Sequence, residues 1–168
     1  LGLERPPGFF FEAGQRITLR MGNTERDYSP VSATESTELA ICVRVVAQGA
    51  LSPALASAET GTSISFTGPH GYFVFRKSRL QPVFVATGTG IAPFVAMVRA
   101  GVIGPVVLHG VSSPESLYYK KALIPAAHAY VPCISEAGSA PEGVFSGRVT
   151  EYLERELPAG EYDFYLCG

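Results

Sequence analysis

Residues 81–93 read Gln-Pro-Val-Phe-Val-Ala-Thr-Gly-Thr-Gly-Ile-Ala-Pro. Pro82–Ala86 is a continuous apolar run, the pattern of a strand buried on both faces. Thr87-Gly88-Thr89-Gly90 follows it at once, and Ala92–Arg99 then carries a helical pattern. Pro93 suits a first helical turn, where its missing N–H costs nothing. A strand that turns through glycines into a helix aims backbone N–H groups at a phosphate and lets it approach closely. The stretch is not the usual Gly-x-Gly-x-x-Gly fingerprint, because Pro93 stands in place of the third glycine. Taken alone, it also fits a tight strand-to-helix turn without a ligand. Thr87, Gly88, Thr89, Gly90 and Pro93 are the first candidate site residues.

Toward the C-terminus the unit repeats. Val106–His109 reads as a strand, Glu115–Leu123 as a helix, Tyr130–Ile134 as a strand, Arg148–Leu157 as a helix and Tyr162–Cys167 as a fourth strand. Apolar strands alternating with helices predict a parallel sheet with crossovers. Cys167-Gly168 closes its strand on the same sheet edge as the glycine loop, the edge where such sheets bind ligands. The chain stops there, directly after a strand, so the α/β half reads as truncated.

Toward the N-terminus the rhythm is different. Gln15–Met21, Tyr28–Ala33, Glu38–Val46, Thr62–Thr67 and Tyr72–Phe75 are short β-like runs between turn residues, with one short helix at Ser52–Ser57. Such spacing predicts an antiparallel barrel or sandwich. The change near Lys77–Pro82 divides the chain into residues 1–78 and 79–168. Within the first part, Arg26-Asp27-Tyr28-Ser29 offers a cation, an aromatic face and a hydroxyl on one extended stretch. A flavin needs those three things for its phosphates, its ring and the region of N5. Arg26 and Tyr28 would share a face of the strand, although taken alone the stretch also fits a surface strand without a ligand. Gly49 and Ser52, just before the short helix, form a second possible phosphate site.

Composition narrows the class. Of 168 residues, 46% are hydrophobic and 17% charged, a globular balance. Thirteen basic residues against fifteen acidic ones give a net charge of −2, which offers nucleic acid no electrostatic handle. No apolar run is long enough for a membrane span. Cys42, Cys133 and Cys167 are far apart and odd in number, which suits a reducing cytoplasm. His70, His109 and His128 show no metal-ligand spacing, so no metal site is expected.

The ordered set of motifs resembles the ferredoxin–NADP reductase superfamily. It runs from Phe11-Glu12-Ala13-Gly14-Gln15 through Arg26-Asp27-Tyr28-Ser29-Pro30, Ile41-Cys42-Val43-Arg44, Gly49-x-x-Ser52-x-x-Leu55 and Gly68-Pro69-x-Gly71-x-Phe73. It continues through Thr87–Pro93, His109-Gly110-Val111, Leu117-Tyr118-Tyr119 and Tyr165-Leu166-Cys167-Gly168. The resemblance implies a flavin-binding antiparallel β-barrel followed by a nicotinamide-binding α/β domain, together an NAD(P)H-dependent flavin oxidoreductase.

Carried onto this chain, Arg26 would hold the flavin phosphates, Tyr28 would lie against the ring and Ser29 would hydrogen-bond near N5. Ile41, Val43 and Arg44 would line the flavin, while Gly49 and Ser52 would meet its pyrophosphate. Thr87 to Gly90 would receive the nicotinamide dinucleotide, with Cys167 and Gly168 near the nicotinamide. Tyr28, Ser29 and Cys167 are thus the expected catalytic set. The family favours FAD, with FMN possible. Ser135-Glu136 stands where NADPH-preferring members often carry Ser-Arg, which points to NADH, although Ser112, Ser113 and Arg148 offer a phosphate other partners. The expected acceptor is an iron–sulfur or other one-electron protein. The alternative is a flavin relay subunit of a larger complex, of the dihydroorotate dehydrogenase or hydrogenase type. A non-redox nucleotide-binding domain is opposed by the presence of Arg26, Tyr28 and Ser29 together.

Overall fold

The computed structural model describes residues 1–168. In the first half the β-rich runs pair into two small antiparallel sheets. Strand β1 (Gly2–Glu4) pairs with β4 (Glu38–Ala40), and β2 (Arg16–Met21) lies between β3 (Thr24–Tyr28) and β5 (Ser65–His70). Gly22, at φ 57°, sits in the two-residue turn that joins β2 to β3, a left-handed position that glycine takes at little cost. Ile17 and Leu19 of β2, Leu39 of β4, and Phe11, Ile41, Leu51 and Leu55 form one buried apolar core. Leu55 reaches it from α1 (Ser52–Ser57), which carries Pro53 in its first turn. One bridge, Pro30 to Ile41, ties the two sheets together.

In the second half, β6 (Gln81–Thr87), β7 (Val106–Val111), β8 (Ala129–Ile134), β9 (Phe145–Ser146) and β10 (Tyr162–Cys167) form a five-stranded parallel sheet in the order β10-β6-β7-β8-β9. From β6 the chain adds β7, β8 and β9 to one side, then crosses back to lay β10 on the other. That reversal puts a crevice at the C-terminal ends of β6 and β10. Helix α2 (Ala92–Arg99) covers one face, where Phe84 stacks on Phe94 with ring centroids 4.6 Å apart. Helix α4 (Val149–Arg155) covers the other, packing on Val83, Val85, Leu108 and Cys133 through Val149. No helix is long and apolar enough to cross a membrane.

Helices α1 and α2 and strand β10 keep the limits predicted for them; five other expectations are corrected, the first being Glu38–Val46, of which only Glu38–Ala40 is a strand. Tyr28–Ala33 is not one strand: β3 ends at Tyr28, Pro30 has no N–H for a ladder, and Val31 leaves the barrel. Val31 is 1% exposed in the core of the second half, beside Phe84, Ile91, Phe94 and Met97. Tyr72–Phe75 is not a strand either, because its side chains serve that same core. Phe73 packs on Phe94 and Phe75 on Phe84 and Tyr165, at centroid distances of 5.8, 6.2 and 5.7 Å. The helix expected at Glu115–Leu123 is broken into a 3₁₀ turn, Pro114–Ser116, and a short α3 (Lys120–Leu123). Tyr119 between them adopts φ 58°, and its ring lies 5.7 Å from the Arg99 guanidinium carbon. Finally the parallel sheet has five strands, because the two-residue β9 is too short to show a pattern.

The two halves are pinned by polar contacts as well. Arg99 of α2 donates to the Val31 carbonyl. Tyr165 of β10 brackets Arg76 in the connecting segment, accepting its N–H at 3.1 Å and donating to its carbonyl at 3.2 Å.

Candidate functional site

The crevice predicted by the sheet topology is a cleft of about 560 Å³. Thr87, Gly88 and Thr89 line it from the end of β6, Gly168 from the end of β10, and Gly110, Val111 and Ser112 from the end of β7. Ser135 follows β8, while Gly147, Arg148, Val149 and Thr150 come from the start of α4; Ser116 and Tyr118 form a further wall. Arg44 reaches the cleft from the barrel half. The lining holds two guanidiniums, several hydroxyls and no carboxylate, a donor set suited to phosphate oxygens.

Local chemistry explains the shape of the loop. Thr87 is still extended at φ −120°, and Gly88 turns to φ 52°, where the space a Cβ would occupy is open. Gly88–Ile91 forms one 3₁₀ turn and runs directly into α2. A Cβ on Gly90 would stand 2.6 Å from the Cys167 carbonyl carbon and from the Gly168 Cα, so only glycine lets the two strand ends approach this closely. Pro93 lies in the first turn of α2 and is buried, away from the cleft lining. The open Cβ position at Gly88, the close approach at Gly90 and the cationic lining fit a dinucleotide phosphate.

Of the residues expected at the flavin, Arg44 instead lines this cleft, while Arg26 and Tyr28 lie outside its lining. On edge strand β3, Arg26 is opposite Leu19 and Tyr28 is opposite Ile17, so both point to the concave side of the sheet. Asp27 points outward, where Arg16 binds it at 2.7 Å and the Thr18 hydroxyl donates to it at 2.6 Å. Those bonds, the Thr18 hydroxyl first, outweigh its desolvation and hold the Asp27 carboxyl below its ordinary range. Arg26 keeps only the neighbouring Glu25 carbonyl as a partner, at 2.7 Å, leaving its guanidinium open to a phosphate. Tyr28 is half-buried, and desolvation raises its phenol while Arg26 opposes the shift. An unpaired guanidinium beside a half-exposed ring fits the phosphate and aromatic requirements of a flavin.

The remaining candidates divide. Gly49 and Ser52 build one tight turn: the Gly49 N–H donates to the Val46 carbonyl at 2.7 Å, and the Ser52 hydroxyl accepts the Val46 N–H at 3.0 Å. Val43 packs partly against the barrel core, in which Ile41 is 1% exposed, and both line a shallow pocket with Cys42, Arg44 and Tyr118. Cys167 packs its thiol against the core shared by the two halves, and burial raises the thiol above its ordinary range. Only its backbone meets the glycine loop. Gly147, Ser116 and Thr150 were not singled out from the sequence; their signal was position, since each lies just beyond a strand end or at a helix start on the binding edge.

His109 is fully buried near the end of β7. Its Nε2 lies 3.2 Å from the Gly88 carbonyl and its Nδ1 3.0 Å from the Tyr130 hydroxyl. Burial lowers its affinity for a second proton more than the Gly88 bond raises it. Tyr130 and Cys133 are both pushed upward by burial, Cys133 to about 12.

The oxidoreductase FAD-binding domain family matches residues 2–75, and the oxidoreductase NAD-binding domain family matches residues 84–168. A ferredoxin–NADP reductase B of Sorangium cellulosum is 33% identical, over 100% of this chain and 79% of that protein. The electron transfer component of toluate 1,2-dioxygenase from Pseudomonas putida is also 33% identical, over 94% of this chain but 51% of its own length. The chain thus spans about half the length of the oxygenase reductase components it matches. A ferredoxin NADP+ reductase from Neisseria gonorrhoeae, solved with FAD and NADP, superposes with a TM-score of 0.75 at 25% identity, covering 98% of this chain and 76% of that one. The flavohaemoglobin-like FAD/NAD-binding domain of a Vibrio cholerae nitric oxide dioxygenase shares the fold, with a TM-score of 0.80 at 20% identity over 94% of this chain and 74% of that one.

Proposed function

Because this chain belongs to the ferredoxin–NADP reductase superfamily, with FAD- and NAD-binding oxidoreductase domains, we propose that it draws electrons from NADH and passes them singly to an iron–sulfur protein. The observation that carries the reading is the meeting of Thr87–Gly90 with Cys167-Gly168 in a phosphate-suited cleft that the barrel enters through Arg44. When bound, FAD and the nicotinamide supply the chemistry: a hydride passes from nicotinamide C4 to flavin N5, and electrons leave one at a time.

The chain's own residues bind and orient. Arg26 pairs with flavin phosphate, Tyr28 offers its ring face, and Ser29 directs its hydroxyl toward the reactive edge. Gly49 and Ser52 shape the turn that receives the pyrophosphate. Arg44 and Arg148 neutralise the nicotinamide dinucleotide, and the Thr87–Gly90 backbone donates to it. Cys167, held neutral by burial, presents no charge to the reacting rings and helps keep water out. The oxygenase components among the relatives support an iron–sulfur acceptor. Three unpaired thiols support a reducing, cytoplasmic setting.

Preference for NADH rests on Glu136. Its backbone N–H donates to the carbonyl of Ser112 at 3.1 Å, and Ser112 and the adjacent Ser135 line the cleft. A carboxylate there repels a 2′-phosphate.

The test is the visible absorption spectrum of the purified protein before and after anaerobic addition of NADH. A yellow spectrum that bleaches is expected. A colourless protein that refuses added FAD and FMN would refute the reading.

A further inference from the structure

We propose that His109 is a positioning residue that sets the direction of the Thr89 N–H in the nucleotide cleft, an inference that rests on the cleft being the nicotinamide dinucleotide site. An imidazole with no solvent exposure must satisfy both ring nitrogens within the protein. The Gly88 carbonyl, 3.2 Å from Nε2, can only accept. Nε2 therefore carries the proton, the ring is neutral, and Nδ1 accepts from the Tyr130 hydroxyl at 3.0 Å. The direction of every bond in the series from Tyr130 to His109 to Gly88 is fixed by these chemistries.

Gly88 is the one point of the loop in the left-handed region, and no atom lies within 4 Å of where a Cβ would stand. Side-chain packing there favours no orientation of the peptide that follows, and the 3₁₀ turn of Gly88–Ile91 holds it from the helix side only. His109 adds a second hold on that peptide, from the sheet side, through its carbonyl. A trans peptide is planar, so the N–H of Thr89 points opposite to the Gly88 C=O. Gly88 and Thr89 line the cleft and His109 does not. The bond that draws the carbonyl inward thus turns the N–H outward, toward the phosphate. A histidine that merely filled space would have no such directional effect.

The experiment uses the flavin-loaded chain and ADP-ribose, which binds as the dinucleotide does but cannot transfer a hydride. Titration calorimetry gives its dissociation constant, and the Thr89 amide resonance reports the local geometry. His109→Phe keeps bulk but loses the donor, and is expected to weaken ADP-ribose about tenfold, the worth of one hydrogen bond of ordinary strength. It should also abolish the shift of the Thr89 amide on binding. His109→Gln, whose amide can still donate to Gly88, should bind within about twofold of the unchanged protein. Tyr130→Phe, which removes a single oxygen, should weaken binding about two- to threefold and serves if His109→Phe does not fold. Unchanged ADP-ribose binding with a normal Thr89 shift in His109→Phe would overturn the proposal, as would His109→Gln binding as poorly as His109→Phe. An unchanged protein that takes up flavin but no ADP-ribose would instead overturn the reading of the cleft.

Discussion

Replacing Gly90 by alanine should damage both stability and nucleotide binding, through a collision that can be located atom by atom. The added Cβ would stand 2.6 Å from the Cys167 carbonyl carbon and from the Gly168 Cα, with the Cys167 oxygen nearer still. All three are backbone atoms, so no side chain can swing aside. Either the Thr87–Gly90 turn lifts off β10 or the end of β10 bends away. Forcing one methyl into a packed site costs about 1–3 kcal/mol. For a chain of this size each kilocalorie lowers the unfolding midpoint by about 2–4 °C, so a fall of about 2–12 °C is expected. Gly88→Ala is the matched control, since its Cβ would meet nothing. Its cost is dihedral, about 1–2 kcal/mol for a left-handed alanine, partly offset by a stiffer unfolded chain. Differential scanning fluorimetry and ADP-ribose titration on both variants give the comparison. Gly90→Ala should lose more of both quantities than Gly88→Ala. An unchanged midpoint and unchanged binding in Gly90→Ala would refute the claim that the two strand ends meet through this glycine.

Three further outcomes follow from the geometry. Glu136→Arg should raise the efficiency with NADPH relative to NADH by about tenfold, since it exchanges a repelling carboxylate for a guanidinium fork; an unchanged ratio in steady-state kinetics would remove Glu136 from the discrimination. Phe84→Ala should cost about 3–5 kcal/mol in urea unfolding, because Phe84 is fully buried and touches the rings of Phe75, Phe94 and Tyr165. Cys133 gives a pH signature. Below pH 9.0 its thiol is protonated in both folded and unfolded chains; above it the unfolded chain releases the proton while the buried thiol holds it to about 12. Its contribution to stability is therefore complete below pH 9.0 and is lost between there and about pH 12. Denaturant titrations should show a shallower alkaline loss in Cys133→Ala, and an identical slope would contradict the assignment.

The parts of the fold that sequence reveals here are those governed by local chemistry. Pro53 and Pro93 can stand only in first turns, so α1 and α2 begin where those prolines require, and the apolar runs around Phe84 and Leu108 have the period of buried parallel strands. The parts it conceals are choices between cores. Alternation shows that Val31, Phe73 and Phe75 turn inward, but nothing local tells which of two cores will receive them. Ile41 was hidden for the same reason: it sits just past β4, bridged to Pro30, and nothing local shows that the barrel core receives its side chain. For His109 the sequence shows only that it lacks metal-ligand spacing. Its partner carbonyl at Gly88 is 21 positions away, and no spacing rule connects them. Arg44 follows β4 in an irregular stretch and gives no sign in sequence that it reaches the other half.

Val31 has a consequence for how such chains can be recombined. The connection between the halves in sequence lies near residue 78, but their connection in space includes a side chain from the first half seated among Phe84, Ile91, Phe94 and Met97. A chimera spliced at the sequence joint would bring a foreign nucleotide half whose socket was shaped for another plug. The inheritable unit is the second half together with Val31 and the Phe73–Phe75 segment. Grafts that carry those residues across should fold, whereas grafts cut cleanly at the linker should inherit a hole on one side of the seam and a homeless side chain on the other.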